Sequence, residues 1–350
     1  MDMNEALAQL AQTHLMEQLD LSGADLSGRD LSNCRFAGVQ LRSANLSGCK
    51  LGGSVFQNCD LSGANLTDAQ LMGVQMLTVY LQGANLQSAN AQGASFSTVE
   101  FAGAQAQSAN FSAAMFDACS FQNTDFSQAR FVRAELNQCI FKSTVLASAD
   151  WTRCTAMDTD LSSVRFERIC LVQAYLKGCN LSGQRFAGCD VTMTIFNSAN
   201  LQRADFSKAF LDRTSFIGAN MQGAVLKGVT GQYTALLQAD LSLADLRQAV
   251  FEMSDASDAN FSGAQCDGSG WNLSVLMRSK LGSANFSFAS FKECDLSHAD
   301  LSASNFSRAS VVGCNLHSVN ISSARWDDAQ RSNNRETDVA LAKAEQWQAA

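Results

Sequence analysis

Large apolar residues, mainly Leu and Phe, occupy most of the positions five residues apart from Leu21 to Trp326, and the frame does not slip once. All but two of the 22 Phe residues fall in it. A second frame, two residues earlier, holds small residues, mainly Ala and Cys. A period of five fits neither an α-helix nor a flat strand. One large and one small residue per five can share an interior only if the backbone turns once in each repeat. The sequence therefore predicts a solenoid whose layers pack on their neighbours.

Three stretches carry the repeat motif most clearly: Ala-Asp-Leu-Ser-Gly at 24–28, Ala-Asn-Leu-Ser-Gly at 44–48 and Ala-Asn-Leu-Thr-Asp at 64–68. They resemble the pentapeptide-repeat family. The resemblance implies an all-β fold, a right-handed quadrilateral parallel β-helix with four repeats per coil, in which every twentieth residue stacks. About 15 coils would then form a rod of roughly 70–75 Å at the spacing of paired strands. Proline is absent, as expected where nearly every backbone N–H enters a ladder.

We expect three regions: an N-terminal capping helix at 1–18, the solenoid at 19–328, and a C-terminal tail and helix at 329–350. Two segments, 4–17 and about 335–349, place mainly apolar residues at helical spacing. They are Leu7, Leu10, His14 and Leu15 in the first, and Ala340, Leu341, Ala344 and Trp347 in the second. Each helix would cover an exposed end of the core, as solenoids require. The alternative for the second helix, implied by some family members, is that it dimerises the rod.

Ten of the twelve cysteines lie in the small inward frame: Cys34, Cys49, Cys59, Cys119, Cys139, Cys154, Cys179, Cys189, Cys294 and Cys314. A thiol there acts as a small apolar filler. Two pairs, Cys119 with Cys139 and Cys294 with Cys314, should stack. We expect them to stay reduced, because the side chains run parallel and the cytoplasm is reducing.

Other residues with reactive side chains are not arranged for catalysis. His298 and His317 should lie close together near the C-terminal end, where a two-ligand metal site is conceivable. No His and acid are placed to activate a Ser. The sequence thus predicts no enzyme, no cofactor and no metal centre. Gln184 is an anomaly, since an amide in the small inward frame needs partners. Gly231 leaves a central position underfilled, and five hydroxyl residues share one corner, where we expect a hydrogen-bonded ladder: Thr194, Thr214, Thr234, Ser254 and Ser274.

The charges are mixed rather than clustered. The chain has 33 acidic and 25 basic residues, a net charge of −8, and no predicted face is strongly acidic. That disfavours mimicry of duplex DNA, which carries one charge per ~1.7 Å. Direct nucleic-acid binding is also disfavoured, because acids interrupt the most basic face, whose basic residues are Arg165, Arg168, Arg185, Lys208, Lys227 and Arg247.

Outward apolar residues concentrate on two adjacent faces of the C-terminal half and predict an interface. The candidates are Met157, Val172, Tyr175, Met193, Ile195, Phe210, Ile217, Tyr233, Leu237, Val250, Met253, Leu273, Val275 and Met277. A second feature is the uncharged stretch 69–99, rich in Gln, Ser and Asn, with Met72, Leu77 and Tyr80 outward. It is a candidate polar docking surface.

The N-terminus lacks the pattern of a signal peptide, and no apolar run reaches the ~20 residues of a membrane span. We therefore expect a cytoplasmic protein, with signal-independent export left open. The predicted function is a rigid, non-catalytic scaffold that binds a partner protein or itself through the apolar band or the C-terminal helix. The alternatives are a DNA-gyrase-directed protein that gives antibiotic resistance, which the family resemblance implies, and a secreted bacterial effector or secretion accessory.

Overall fold

The computed structural model describes residues 3–345 and Trp347, without the side chains of residues 3, 4, 6, 7 and 9. The outer ends of the two predicted terminal segments lie outside the described residues. So does the side chain of Leu7, which the spacing placed on the N-terminal helix. Contacts divide the chain into two units, Met1–Tyr175 and Leu176–Ala350. They are called unit 1 and unit 2 below.

Unit 1 begins with a helix, α1 (Met3–Thr13), and continues as a stack of short strands. Each strand pairs in parallel with the next strand, one coil further along the chain, so that Phe36 lies opposite Phe56 and Met76 opposite Phe96. The prediction that every twentieth residue stacks is thus confirmed. The strands are β1 (Leu15–Glu17), β2 (Arg35–Ala37), β3 (Val55–Gln57), β4 (Gln75–Leu77), β5 (Ser95–Ser97), β6 (Met115–Asp117), β7 (Glu135–Asn137) and β8 (Thr155–Ala156).

Unit 2 repeats this parallel pairing and ends with a helix, α2 (Val339–Glu345). Its strands are β9 (Thr230–Gln232), β10 (Val250–Glu252), β11 (Gly270–Asn272), β12 (Ser290–Lys292), β13 (Ser310–Val312) and β14 (Gln330–Ser332). The register is the same as in unit 1, with Phe251 opposite Trp271. In each unit, the face that carries these strands is called its strand face.

The repeats between strands are tight turns, and their hydrogen bonds explain the repeat motif. The Ala24 N–H donates to the carbonyl of Leu21 at 3.0 Å and closes the turn. The Ser22 N–H donates to Asp20 Oδ1 at 2.9 Å, a local bond that Asp and Asn form readily. Gly23 completes the turn at φ 70°, a backbone conformation that favours glycine. The pattern Asp/Asn-Leu-Ser-Gly therefore encodes one corner of the coil.

The core consists of the two predicted inward frames. The central Leu and Phe residues and the small residues before them are buried from Leu26 to Phe306 with few exceptions. Aromatic rings stack between coils, with centroids 4.6 Å apart for Phe36 and Phe56 and 4.8 Å for Phe96 and Phe116. Burying one such side chain contributes roughly 1.5–3 kcal/mol. Gly231 is not underfilled, because a Cβ there would meet the Thr234 hydroxyl.

Both helices are shorter than the spacing predicts, because the repeat extends further in both directions. Met16, five residues before Leu21, is buried and pairs with Phe36, so the helix ends at Thr13 and the solenoid begins with β1. At the other end, β14 continues the frame to Arg331. Neither described helix has the length and hydrophobicity that a bilayer crossing needs.

The two ends of the core are covered differently. Leu10 of α1 is buried. At the C-terminal end, the Trp326 ring stacks on Phe306 at 4.5 Å, and the Arg331 guanidinium lies 4.7 Å from the Trp326 ring centroid. None of the α2 residues is buried. An arginine on a tryptophan, rather than the apolar side of α2, therefore covers this end of the core.

Candidate interaction surface

The cysteine thiols are packing groups. All twelve are thiols rather than disulfides, and all except the half-buried Cys170 are buried. The Cys59 thiol donates to the carbonyl of Phe36 at 3.4 Å, one coil back. The neighbouring Cys119 thiol and burial raise the pKa of Cys139 far above its usual range, and burial does the same to Cys266. Because the thiolate is the reactive form, these residues are poor nucleophiles and metal ligands.

The hydroxyl corner of unit 2 forms a ladder, but the hydroxyls bond the backbone rather than one another. The Thr234 N–H donates to Ser254 Oγ at 3.1 Å, and the Ser254 N–H donates to Ser274 Oγ at the same distance. The Thr214 and Thr234 hydroxyls donate to carbonyls one coil back. Gln184 is buried as expected. The Thr and Ser hydroxyls of this corner thus satisfy buried backbone groups and are not arranged as a reactive centre.

His298 and His317 lie close together, as predicted, with ring centroids 5.4 Å apart. Glu345 of α2 joins them, at 3.5 Å from His298 Nε2 and 3.2 Å from His317 Nε2. The buried His317 accepts the Asp338 N–H at Nδ1, at 3.1 Å. Its Nε2 must then carry the proton and donate to Glu345. A neutral ring in this tautomer cannot ligate a metal through Nε2, so the cluster anchors α2.

The predicted interface residues fall in both units. In unit 1, Met157 is exposed, whereas Val172 and Tyr175 are half-buried. In unit 2, the exposed ones are Phe210, Tyr233, Val250 and Leu273, and the half-buried ones are Met193, Ile195, Ile217, Leu237, Met253, Val275 and Met277.

The apolar residues of unit 2 contain one contiguous row, which we call the apolar ridge: Tyr233, Met253 and Leu273. They follow strands β9, β10 and β11 directly, and because these strands pair in sequence, each residue lies one layer from the next. Tyr233 and Leu273 are 50% and 48% exposed. Just beyond the corner, on the next face, lie Val275 and Met277. The ridge and these neighbours therefore form an apolar edge between two faces.

A polar row separates the ridge from the other exposed residues of the strand face. Gln232 Nε2 donates to Glu252 Oε2 at 2.8 Å, and the Gln232 N–H donates to Asp212 Oδ1 at 2.9 Å. Phe210 and Val250 lie on the far side of this row. The predicted two-face band is thus narrower in the structure, and its centre is the corner.

Some exposed apolar residues lie outside the predicted set. Phe288 is exposed and is one of only two Phe residues outside the inward frame. That departure from the repeat could have identified it from the sequence as an outward apolar residue. The Arg308 guanidinium lies 5.5 Å from its ring centroid. The group also includes Met115, Ile140, Leu243, Ile321 and Val339. They are scattered singly, which is normal for a protein surface.

The sequence matches the family model described as pentapeptide repeats in eight overlapping stretches, which span most of the chain: 20–58, 40–76, 80–116, 109–147, 171–201, 194–230, 232–269 and 279–324. No curated protein sequence matches it.

Solved structures with similar folds include other pentapeptide-repeat proteins. Trypsin-treated QnrB1, a plasmid-mediated fluoroquinolone resistance protein, is 17% identical with a TM-score of 0.44, covering 54% of this chain and 93% of that one. HetL, involved in heterocyst differentiation regulation in the cyanobacterium Nostoc, is 18% identical with a TM-score of 0.16, covering 94% of each chain. A pentapeptide repeat protein from the Arabidopsis thaliana thylakoid lumen is 31% identical over 32% of this chain and 64% of that one, with a TM-score of 0.22.

Proposed function

The chain belongs to the pentapeptide-repeat family, and we propose that it is a non-catalytic scaffold that binds a protein partner through the apolar ridge of unit 2. The observation that carries this proposal is three large apolar side chains, Tyr233, Met253 and Leu273, exposed or half-buried in consecutive coils. Aromatic and Met side chains are enriched at protein interfaces, and large ones act as anchors there.

The ridge residues occupy a turn position at which the backbone is left-handed along nearly the whole chain. Tyr233, Met253 and Leu273 have φ values of 55°, 49° and 53°, like most other residues at this position. The conformation directs their side chains outward, so the large apolar groups gain nothing from the core.

Charged residues bound the ridge at both ends. Arg213 lies in the coil before Tyr233, and its guanidinium is 5.9 Å from the Tyr233 ring centroid. Glu293 occupies the equivalent position in the coil after Leu273. An apolar centre with a polar rim is the usual anatomy of an interface. We expect the partner to present an apolar strip with an acidic residue near Arg213 and a basic residue near Glu293. A second copy of this chain is one such partner.

Two features support a non-catalytic role. Many Ser and Thr residues serve as turn groups, as where the Ser207 hydroxyl and N–H both bond to Asp205. The cysteines with a clearly raised pKa are buried packing groups.

The test is a triple variant, Tyr233→Lys, Met253→Lys and Leu273→Lys. Its fold should persist, because all three side chains point outward. We expect it to lose partner capture in cross-linking from the native cell and any self-association seen by light scattering. Leu243→Lys is the matched control, since Leu243 has the same turn position and φ 59° and is 66% exposed, but lies off the ridge.

Equal binding by the triple variant and the wild type would contradict the ridge as the working surface. The same variants address the gyrase alternative. Inhibition of gyrase supercoiling that the triple variant retains would assign the function to another face.

A further inference from the structure

A groove in unit 1 carries an unusual set of arginines. It has a volume of about 510 Å³ and lies on the face that precedes the strand face. Its lining includes Arg130, Arg133 and Arg153, with Gln92, Ser112 and Gln173 beside them. All three arginine side chains are exposed. The groove thus combines a concave surface with three guanidinium groups on a chain whose net charge is −8.

Two of these arginines form a like-charge stack. Arg133 and Arg153 lie in consecutive coils and occupy the same turn position, with φ 61° and 59°. The layers of such a stack are about 4.8 Å apart. Like charges directly opposite each other across paired strands are destabilising. The placement of two like charges at matching positions in neighbouring coils therefore needs an explanation.

Three of the five other arginines at this turn position have a matching neighbour one coil away. Arg278 donates to both carboxylate oxygens of Asp258 at 2.8 Å. Arg308 lies 3.7 Å from Asp328. The third, Arg213, lies over the Tyr233 ring.

Where another basic pair stacks, a carboxylate accompanies it. Lys227 and Arg247 also occupy matching positions in consecutive coils, and Asp245 binds Arg247 at 2.7 Å. The pKa of Asp245 is lowered by Arg247 and, to a smaller extent, by Lys227. An anion thus balances the cations at that site.

Within the described residues, no ion pair joins Arg130, Arg133 or Arg153 to a carboxylate. Asp150 lies opposite Arg130 in the next coil, but it accepts the Thr152 N–H at 3.0 Å and forms no ion pair with Arg130. Arg153 Nε donates to Gln173 Oε1, a neutral acceptor.

The approach to the groove from the preceding coils is free of repulsion. From residue 69 through Phe116, Glu100 is the only charged residue. On the groove face, this stretch contributes the neutral Gln92, Asn110 and Ser112. An anion entering the groove would therefore meet amide and hydroxyl groups on one side and guanidinium groups on the other.

We propose that this groove is a binding site for a phosphate-type oxyanion, held between the guanidinium groups of Arg133 and Arg153 with Arg130 beside them. Guanidinium groups bind phosphate through paired, charge-assisted hydrogen bonds. A dianion between the two arginines removes their mutual repulsion. It supplies the counter-charge that Asp245 provides for Lys227 and Arg247. The phosphate is either a free anion or a phosphorylated side chain of a partner.

The experiment titrates inorganic phosphate into the full-length chain by calorimetry at constant ionic strength, with chloride as the reference anion. We expect saturable binding, weakened about tenfold or more by Arg133→Gln or by Arg153→Gln, the loss typical of one charge-assisted hydrogen bond. The double variant should not bind. It should melt no lower than the wild type, because it removes the like-charge stack. Arg278→Gln, which alters a paired arginine at the same turn position, should bind phosphate like the wild type.

A phosphoserine peptide and its unphosphorylated form distinguish the two sources of phosphate. Tighter binding of the phosphopeptide than of inorganic phosphate identifies a phosphorylated partner, and equal binding identifies the free anion. The proposal is overturned if neither phosphate nor phosphopeptide binds, if chloride competes equally, or if the double variant binds as the wild type does.

Discussion

The two units build the same coil but place their strands on different repeats. In unit 1 the strands centre on Met16, Phe36 and every twentieth residue to Ala156, and in unit 2 on Gly231, Phe251 and every twentieth residue to Arg331. Counted around the coil, the strands of unit 2 come one pentapeptide earlier. The difference shows that more than one repeat of the coil can become the extended one, so something local must select it.

The column of small inward residues that follows the strand differs from the other three. In each unit it is the only column without alanine. In unit 1 it holds Leu19, Val39, Cys59, Val79, Val99, Cys119, Cys139 and Thr159. In unit 2 it holds Thr194, Thr214, Thr234, Ser254, Ser274, Cys294, Cys314 and Asn334. The extended repeat is thus followed by a larger or more polar inward side chain than the usual Ala.

Unit 2 shows how such side chains substitute for the turn bond. In a tight turn, the carbonyl of the central Leu or Phe accepts a hydrogen bond from the N–H three residues later. Ala24 and Leu21 are one example. Among the described backbone bonds, none joins the central carbonyl of a repeat that forms a strand to the N–H three residues later. The N–H of Thr234 instead bonds Ser254 Oγ, and that of Ser254 bonds Ser274 Oγ. The hydroxyls therefore satisfy groups that the extended repeat would leave unpaired.

The largest expected effect comes from breaking this ladder. Ser254→Val gives unit 2 the side chain that unit 1 uses at Val79, but it leaves the Thr234 N–H buried without an acceptor. We expect the free energy of unfolding, measured by urea denaturation, to fall by about 1–3 kcal/mol.

Ser279→Val is the control for the ladder. Ser279 is buried in the same inward frame, but its N–H already bonds Leu276 in a tight turn, and its hydroxyl only donates. We expect a smaller loss. If both variants lose equally, the ladder does not account for the strand face of unit 2.

A smaller difference is expected from the two buried tryptophans, one in each unit. Trp271 Nε1 donates to Ser269 Oγ at 3.1 Å, whereas Trp151 Nε1 is buried without a partner among the described atoms. Both Trp→Phe variants lose similar volume, but only Trp271→Phe loses a hydrogen bond. We expect it to lower the free energy of unfolding by about 1 kcal/mol more than Trp151→Phe does. A larger loss for Trp151→Phe would contradict this assignment.

The smallest effect concerns acid and salt. The Ser27 hydroxyl and N–H lower the pKa of Asp25 in unit 1, whereas the Arg278 guanidinium lowers that of Asp258 in unit 2. Both folded pKa values lie below the unfolded value of about 3.9. Their contribution to stability is therefore present above about pH 4 and is lost as the pH falls through the folded pKa.

Salt should separate the two carboxylates. Raising NaCl from about 0.1 M to about 1 M screens an exposed ion pair but not a local hydrogen bond. An NMR titration should show the pKa of Asp258 rising toward its usual value while that of Asp25 changes little. Equal changes would show that the same interaction lowers both.

Much of the fold could be predicted from the sequence because the residues that form each turn lie within two or three positions of one another. The frame of Leu and Phe identified the core, and Asp-Leu-Ser-Gly encoded the corner through bonds that span only two or three residues, as at Asp20 and Ser22. The closeness of His298 and His317 followed from the same count. The extent of α1 was less predictable, because Met16 fits a helix and a coil equally well.

The candidate surface was only partly predictable. The sequence alone determined the five-residue frame, the inward thiols and the excess of outward apolar residues in the C-terminal half, because these depend on position within one repeat. Only the tertiary structure decided which repeat becomes a strand. Thr214 shares a column with Thr234, yet its N–H keeps the turn bond to Leu211. Thr234 differs because the next coil offers it Ser254 Oγ, and that neighbour is four repeats away along the chain. For the same reason, the apolar ridge and the arginine stack emerge only when the coils are stacked.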